Sequence, residues 1–201
     1  MVLVMTSLKL MVVAAFAAGM LSGHAQSQVA PATAQNSTTN TIPMVQVRLL
    51  DADGLPGPLV SSPKVVKTDA EWAKLLTPEQ FRIARNQGTE PAFCGAFYDQ
   101  HKPGIYYCIC CDLPLFTSEA KFDSGTGWPS FFQPVAKENV LSKSDRSYGM
   151  NRTEIECVRC GAHLGHVFED GPKPTGLRFC LNSASLTFKE NQHLKDATAK
   201  H

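Results

Sequence analysis

The chain carries little charge and almost no bias in its sign. Asp, Glu, Lys and Arg make up 18% of its 201 residues, and 19 basic against 18 acidic side chains leave a formal net charge of +1. Such a balance offers no electrostatic footprint for a phosphate backbone, so nucleic acid is excluded as a partner class. Long apolar runs are equally scarce. Leu10 to Leu21 is the one extended apolar stretch, and nothing after it approaches the roughly 20 residues needed to cross a bilayer. No internal repeat is visible beyond two CxxC elements, and no long helical pattern separates the strand-like segments of the C-terminal half, which argues against a parallel α/β sheet. With 43% hydrophobic residues, the composition suits one globular domain with extensions, not a disordered chain.

Lys9 precedes the apolar run, and the small residues Gly23 and Ala25 follow it. Residues 1–25 therefore read as a signal peptide cut before Gln26, with export, most simply to a periplasm; left uncut, the same segment would be a membrane anchor. No cysteine follows the run closely, which excludes lipid attachment there. Residues 26–67, rich in Thr, Ser, Ala, Gln and Pro without a sustained period, read as a linker. At Thr68 the pattern changes. Thr68-Asp69-Ala70-Glu71 is a capping box leading into Trp72, Leu75 and Leu76 on one helical face, and Thr77-Pro78-Glu79-Gln80 starts a second short helix with Phe81 and Ala84 on its stripe. Residues 68–189 are the expected catalytic domain and 190–201 a tail. From Gly95 onward short strands alternate with Gly, Pro, Asp and Ser: Gly104–Cys108, Glu154–Val158, His166–Phe168 and Leu177 through Phe188. The expected fold is mainly β, antiparallel, with short N-terminal helices.

Seven cysteines cannot all pair within one chain. Cys108/Cys111 and Cys157/Cys160 have the spacing of two metal knuckles, and four thiolates match a closed tetrahedral zinc site, which is structural because no ligand position stays open. The alternatives are two short disulfides or one redox CxxC, but neither pair opens a helical pattern as a thioredoxin-like motif should. Cys180 stands apart. In the strand Gly176-Leu177-Arg178-Phe179-Cys180-Leu181-Asn182, alternation puts Arg178, Cys180 and Asn182 on one face and Leu177, Phe179 and Leu181 on the other. A guanidinium beside the sulfur is expected to favour the nucleophilic thiolate, and an amide beside it to orient a substrate dipole. The bland alternative is an inert core cysteine.

Two further segments carry chemistry. Ser124-Gly125-Thr126-Gly127-Trp128-Pro129-Ser130-Phe131 sets an indole in a Gly-rich loop, either a core plug or a binding wall. Gly161-Ala162-His163-Leu164-Gly165-His166-Val167-Phe168-Glu169-Asp170 places two imidazoles three residues apart, as proton donors, a second metal site or a surface pair. Together with the paired CxxC and the GLRFCLNSASL strand, these segments resemble the methionine sulfoxide reductase B family over about Thr68 to Lys189. The resemblance implies two antiparallel sheets, a structural Zn2+ on Cys108, Cys111, Cys157 and Cys160, and Cys180 as nucleophile. It also implies Trp128 against the substrate methyl group, with His163, His166, Asp170, Arg178 and Asn182 around the sulfoxide. The implied substrate is methionine-R-sulfoxide in oxidised proteins or peptides, the implied reductant a thioredoxin-like dithiol, and a monomer is expected.

A sulfoxide sulfur accepts a nucleophile only when its oxygen is stabilised or protonated, so the site needs a soft thiolate and a proton donor, here His166 with His163 as partner. The sulfenic acid so formed is captured by a second thiol. Many members of the family carry that resolving cysteine before the tryptophan, where this chain has Thr126. Cys94, in a region that serves this purpose in some members, is the expected substitute; Cys110 lies inside the first knuckle, and an external thiol is the remaining route. Two rival classes stay open: a zinc-ribbon-like binding module, which leaves the Arg-x-Cys-x-Asn face unexplained, and a thiol peroxidase, which leaves the tryptophan loop unexplained.

Overall fold

Both helix starts follow from local chemistry. In the computed structural model, which describes residues 41–51, 53–191 and 193–194, the Thr68 side chain accepts from Glu71 N and the Glu71 carboxylate accepts Thr68 N–H at the head of α1 (Asp69–Leu75). Thr77 and Gln80 repeat the exchange at α2 (Pro78–Ala84). These reciprocal caps satisfy two of the N–H groups that every helix start leaves orphaned. Trp72 is buried as expected, but Leu75 is 63% exposed. The chain leaves the helix at Leu76, which is extended (φ −112°, ψ 150°), so the buried Leu76 turns inward on its own and the helical stripe does not reach Leu75.

The expected linker is corrected in its second half. Met44–Leu50 (β1) and Pro56–Pro63 (β2) form an antiparallel hairpin. It docks through one fully buried residue, Val47, and through Asn139, whose Oδ1 accepts Arg48 N–H while its Nδ2 donates to the Arg48 and Pro114 carbonyls, each at 2.8 Å. Val45 and Val60 pack half-buried against the same core, and the alternation of Val45 and Val47 breaks where the register shifts between Arg48 and Leu50, which is why the sequence shows no sustained period there. The signal-peptide segment and the first part of that linker lie outside the described residues. At the other end, Asn191 N–H donates to the Pro103 carbonyl and Leu194 is buried, so the start of the expected tail is attached to the fold.

The remaining strands are β3 (Gly104–Cys108), β4 (Pro114–Thr117), β5 (Lys121–Phe122), β6 (Ser130–Phe131), β7 (Val140–Asp145), β8 (Arg152–Cys157), β9 (His163–Phe168), β10 (Arg178–Leu181) and β11 (Leu186–Glu190). They make two antiparallel sheets, one of six strands in the order β5-β6-β10-β9-β8-β7 and one of three in the order β11-β3-β4. Aromatic side chains fill the space between them. Tyr106 and Phe116 from the small sheet meet Phe131 of the large one at ring separations of 4.9 and 4.7 Å, and Phe116 meets Phe179 at 5.7 Å, within the range where such pairs add to simple area burial. The inner face of β10 is thereby fixed, and its outer face is left for chemistry. No helix among the described residues is long and apolar enough to cross a membrane.

Candidate active site

Strand register assembles the site. Cys180 lies opposite His166 on β9 and opposite Ser130 on β6, and His166 in turn lies opposite Glu154 on β8. Directly opposed residues share a face with Cβ atoms about 4.5–5.5 Å apart. Phe179 and Leu181 are buried on the other side, as the alternation in sequence predicts.

Two histidines three apart should face opposite ways in a regular strand. A β-bulge removes the conflict: Ile155 pairs with Gly165, but its neighbour Glu156 pairs with His163, and Leu164 is the extra residue. His163 and His166 therefore share a face, with ring centroids 5.5 Å apart. The carbonyl that the bulge frees on Leu164 accepts the Asn182 N–H at 2.8 Å and its side-chain amide at 3.3 Å. Gly165 has to be glycine, because a Cβ there would lie 2.1 Å from the Cys180 carbonyl oxygen.

Each imidazole is oriented by a carboxylate. His163 Nδ1 donates to Glu154 Oε1 at 2.6 Å, and Gln87 donates to both oxygens of the same carboxylate. His166 Nε2 donates to Asp145 Oδ2 at 2.8 Å, an oxygen that also accepts from Arg152 at 2.6 Å. Hydrogen bonds from Ser147, then from His166 and Arg152, hold the Asp145 carboxyl well below the usual carboxylate range. Burial pushes His166 toward its neutral form, more strongly than Asp145 pulls it back.

Cys180, Trp128, His166, Phe168, Asn182 and Arg152 are among the residues lining a pocket of about 130 Å³. Arg178 favours the Cys180 thiolate as expected, by its charge and by a hydrogen bond, but it does not prevail. Burial raises the Cys180 thiol pKa, and the opposing pull of Arg178, Thr126 and Ser130 does not offset it. Arg178 is shared: its Nε and Nη2 donate to the two Asp170 oxygens at 2.8 Å each, its guanidinium lies 4.5 Å from the Phe168 ring centroid, and it also acts on the Cys180 sulfur. Neither Arg178 nor Asp170 lines the pocket. Asn182 does line it, but its Oδ1 accepts Glu90 N–H and its Nδ2 donates to Leu164, so the amide braces backbone instead of standing free for a substrate dipole.

The metal cage is built from two matching knuckles. Asp112 N–H donates to Cys108 O as Gly161 N–H does to Cys157 O, and Cys108 N–H donates to Leu113 O as Cys157 N–H does to Ala162 O. The four sulfurs lie within 4.8 Å of one another, with Cys108–Cys160 and Cys111–Cys157 at 3.5 Å. These separations rule out disulfides, whose S–S length is about 2.05 Å. They approach the edge of a tetrahedron with metal–sulfur arms of about 2.3 Å. Arg159 Nη2 donates to the Cys111 carbonyl and so links the knuckles. Because Cys108 ends β3 and Cys157 ends β8, the cage ties one strand of each sheet together.

The SelR domain matches residues 76–190. The peptide methionine sulfoxide reductase MsrB of Herminiimonas arsenicoxydans is 55% identical over 134 residues, which cover 67% of this chain and 98% of that protein. The protein of the same name from Azotobacter vinelandii is 58% identical over 126 residues, covering 63% and 95%. The chain belongs to the methionine sulfoxide reductase B family.

Within a reductase B fold, the residue that sequence reasoning missed altogether is Glu90. It is 4% exposed. Its N–H donates to Asn182 Oδ1, its carbonyl accepts the Trp128 indole Nε1–H at 3.1 Å, and its carboxylate accepts Ser183 N–H at 2.6 Å and Ala184 N–H at 3.0 Å. One residue thus braces the indole, the asparagine and the turn that follows the Cys180 strand. Glu90 sits in a turn-rich stretch without periodicity, so no signal in the sequence singles it out. Asp145, Glu154, Arg152 and Thr89 were missed likewise. Trp128 is further fixed by Gly127 (φ +84°), where a Cβ would meet Phe93 N at 2.7 Å. That contact, with the Phe93 N–H to Gly127 carbonyl bond of 2.8 Å, lays the segment before Cys94 against the tryptophan loop. Cys94 is exposed and free, and it opens into a neighbouring depression lined also by Glu90, Phe97 and Ser183. Thr126 stands beside the Cys180 sulfur as a hydrogen-bonding neighbour.

Proposed function

We propose that the chain is a peptide-methionine (R)-S-oxide reductase in which Cys180 attacks the sulfoxide sulfur and Cys94 resolves the product. One observation carries the reading. A half-buried thiol lies directly across a strand pair from an oriented imidazole, in a pocket walled by an indole. An indole suits an S-methyl group through apolar and sulfur-aromatic contact, and holding the methyl group there beside the Cys180 thiol makes the two hands of the sulfoxide inequivalent.

The protonation states make the step self-contained. Burial shifts both Cys180 and His166 toward their uncharged forms, so the thiol supplies its own proton to the sulfoxide oxygen, directly or over His166. The S–S bond made on attack breaks together with the S–O bond to methionine as oxygen passes to the cysteine sulfur: the sulfoxide is reduced by two electrons to the thioether, and Cys180 becomes a sulfenic acid. Attack by Cys94 then forms a disulfide and expels water, and a thioredoxin-like dithiol restores both thiols. We assign Zn2+ to the cysteine cage. Four thiolates suit that metal and leave no open position, so its part is to hold the sheets together. We further infer export from the N-terminal 25 residues.

The test is turnover of methionine R- and S-sulfoxide peptides and of hydrogen peroxide on one preparation with its zinc measured. Reduction of the R epimer alone, with one zinc per chain, is expected. Activity confined to peroxide would move the chain to the thiol peroxidases, and zinc without any activity would favour a binding module.

A further inference from the structure

A cleft of about 720 Å³ adjoins the Cys180 pocket, and the chemistry above leaves most of it without a role. The two share Thr89, Arg152 and His166 in their walls, so the cleft directly borders the pocket. A methionine side chain fills only the small end. The far wall of the large end is the β7–β8 connection, which carries Arg146, Tyr148 and Met150. Tyr148 is 92% exposed, with a left-handed backbone (φ 53°), and Met150 is 44% exposed.

Charge in this cleft is unevenly committed. Its two carboxylates are engaged, Asp145 by Arg152 and His166, and Glu154 by His163 and Gln87. Two of its guanidinium groups have no carboxylate partner: Arg82 donates only to the Thr89 carbonyl, and Arg146 makes no ion pair among the described residues. The rim therefore presents uncompensated positive charge beside an exposed aromatic ring, next to the pocket of the reacting thiol.

We propose that this cleft holds the polypeptide flanking the oxidised methionine, and that it selects flanks with acidic side chains, which Arg146 and Arg82 receive while Tyr148 covers the bound chain. The proposal rests on reading the Cys180 pocket as the sulfoxide site. It gives a role to the cleft bordering the pocket, which a free amino acid would leave unfilled.

The experiment compares pentapeptides with a central methionine-R-sulfoxide flanked on both sides by Glu or by Lys, together with N-acetyl-methionine-R-sulfoxide as a substrate without flanks. The wild-type protein should show a lower KM for the Glu peptide. Arg146→Glu should shrink that preference by about two- to fivefold, the span of a single exposed ion pair. Raising the salt concentration should narrow it in the wild type. Tyr148→Ala should raise KM for both peptides. Neither variant should change kcat/KM for the flankless substrate, because neither residue touches the thiol pocket. Equal KM for the Glu and Lys peptides in the wild type would overturn the proposal while flankless turnover kept the reductase reading intact. A loss of flankless turnover in Arg146→Glu would overturn it too, by making the loop structural. Failure to reduce any R-sulfoxide would sink both readings together.

Discussion

Glu90→Gln tests how the site is braced, because it keeps volume and shape while removing one acceptor. The Glu90 carboxylate takes two backbone N–H groups, Ser183 at 2.6 Å and Ala184 at 3.0 Å, inside a residue that is 4% exposed. A glutamine can serve only one of them and turns its NH2 toward the other. Hydrogen bonds to a charged acceptor contribute about 1.5–3 kcal/mol each, so the variant should lose roughly that much stability. For a chain of this size, 1 kcal/mol moves Tm by roughly 2–4 °C, which gives a fall of about 3–12 °C by calorimetry. The functional effect comes through position. The same residue's main chain holds Trp128 and Asn182, and misplacing reacting groups by about 1 Å costs on the order of 100-fold. A drop in kcat/KM of about 10- to 100-fold is therefore expected, with Cys180 still open to alkylation. An unchanged Tm together with unchanged kcat/KM would refute the idea that Glu90 organises the pocket.

Other expectations follow from the same geometry. Because burial raises the Cys180 pKa, the thiolate gains tenfold per pH unit below that pKa. Iodoacetamide alkylation of the Cys94→Ser variant should thus climb through pH 8.5, the ordinary thiol value, without levelling, and a plateau below it would contradict the protonated resting thiol. That variant should also release about one methionine per chain and then stall with a dithiol protein as reductant, where sustained turnover would pass the resolving role to Cys110 or to an external thiol. Removing the metal with a strong chelator, or substituting Cys157→Ser, should abolish cooperative melting. A structural zinc contributes about 10–16 kcal/mol, as much as a whole domain's net stability. An unaltered melting curve would mean that the cage is not what joins β3 to β8.

What the sequence made legible was whatever depends on short-range rules. The two capping boxes at Thr68 and Thr77 sit where the spacing put them, β3 spans the expected Gly104–Cys108, and the four knuckle cysteines converge. The alternation that buries Phe179 and Leu181 and leaves Arg178 and Cys180 half-exposed also holds, but only within the strand: Asn182, just past its end, is buried, and Leu177, just before it, is half-buried. What stayed hidden depends on distant partners. The hairpin at 44–63 is held by one asparagine about 90 residues away, by the buried Val47 and by the half-buried Val45 and Val60, so its apolar alternation is too short to stand out in the sequence. The shared face of His163 and His166 needs a bulge that only the pairing with β8 defines. Arg178 does act on Cys180, two residues away, but the Asp170 carboxylate that also holds its guanidinium and the burial that outweighs its pull are set by the fold. Glu90 acts entirely through contacts about 40 to 94 residues distant in the chain.

The claim beneath all of this is that the Cys180 sulfur takes the oxygen from the sulfoxide. Mixing the reduced Cys94→Ser variant with one equivalent of a methionine-R-sulfoxide peptide and a sulfenic-acid trap, then mapping the adduct by mass spectrometry, addresses it directly. The account predicts one adduct, on Cys180, matched by one methionine formed and absent with the S epimer. An adduct on another cysteine, or methionine formed by a Cys180→Ser variant at a comparable rate, would contradict it.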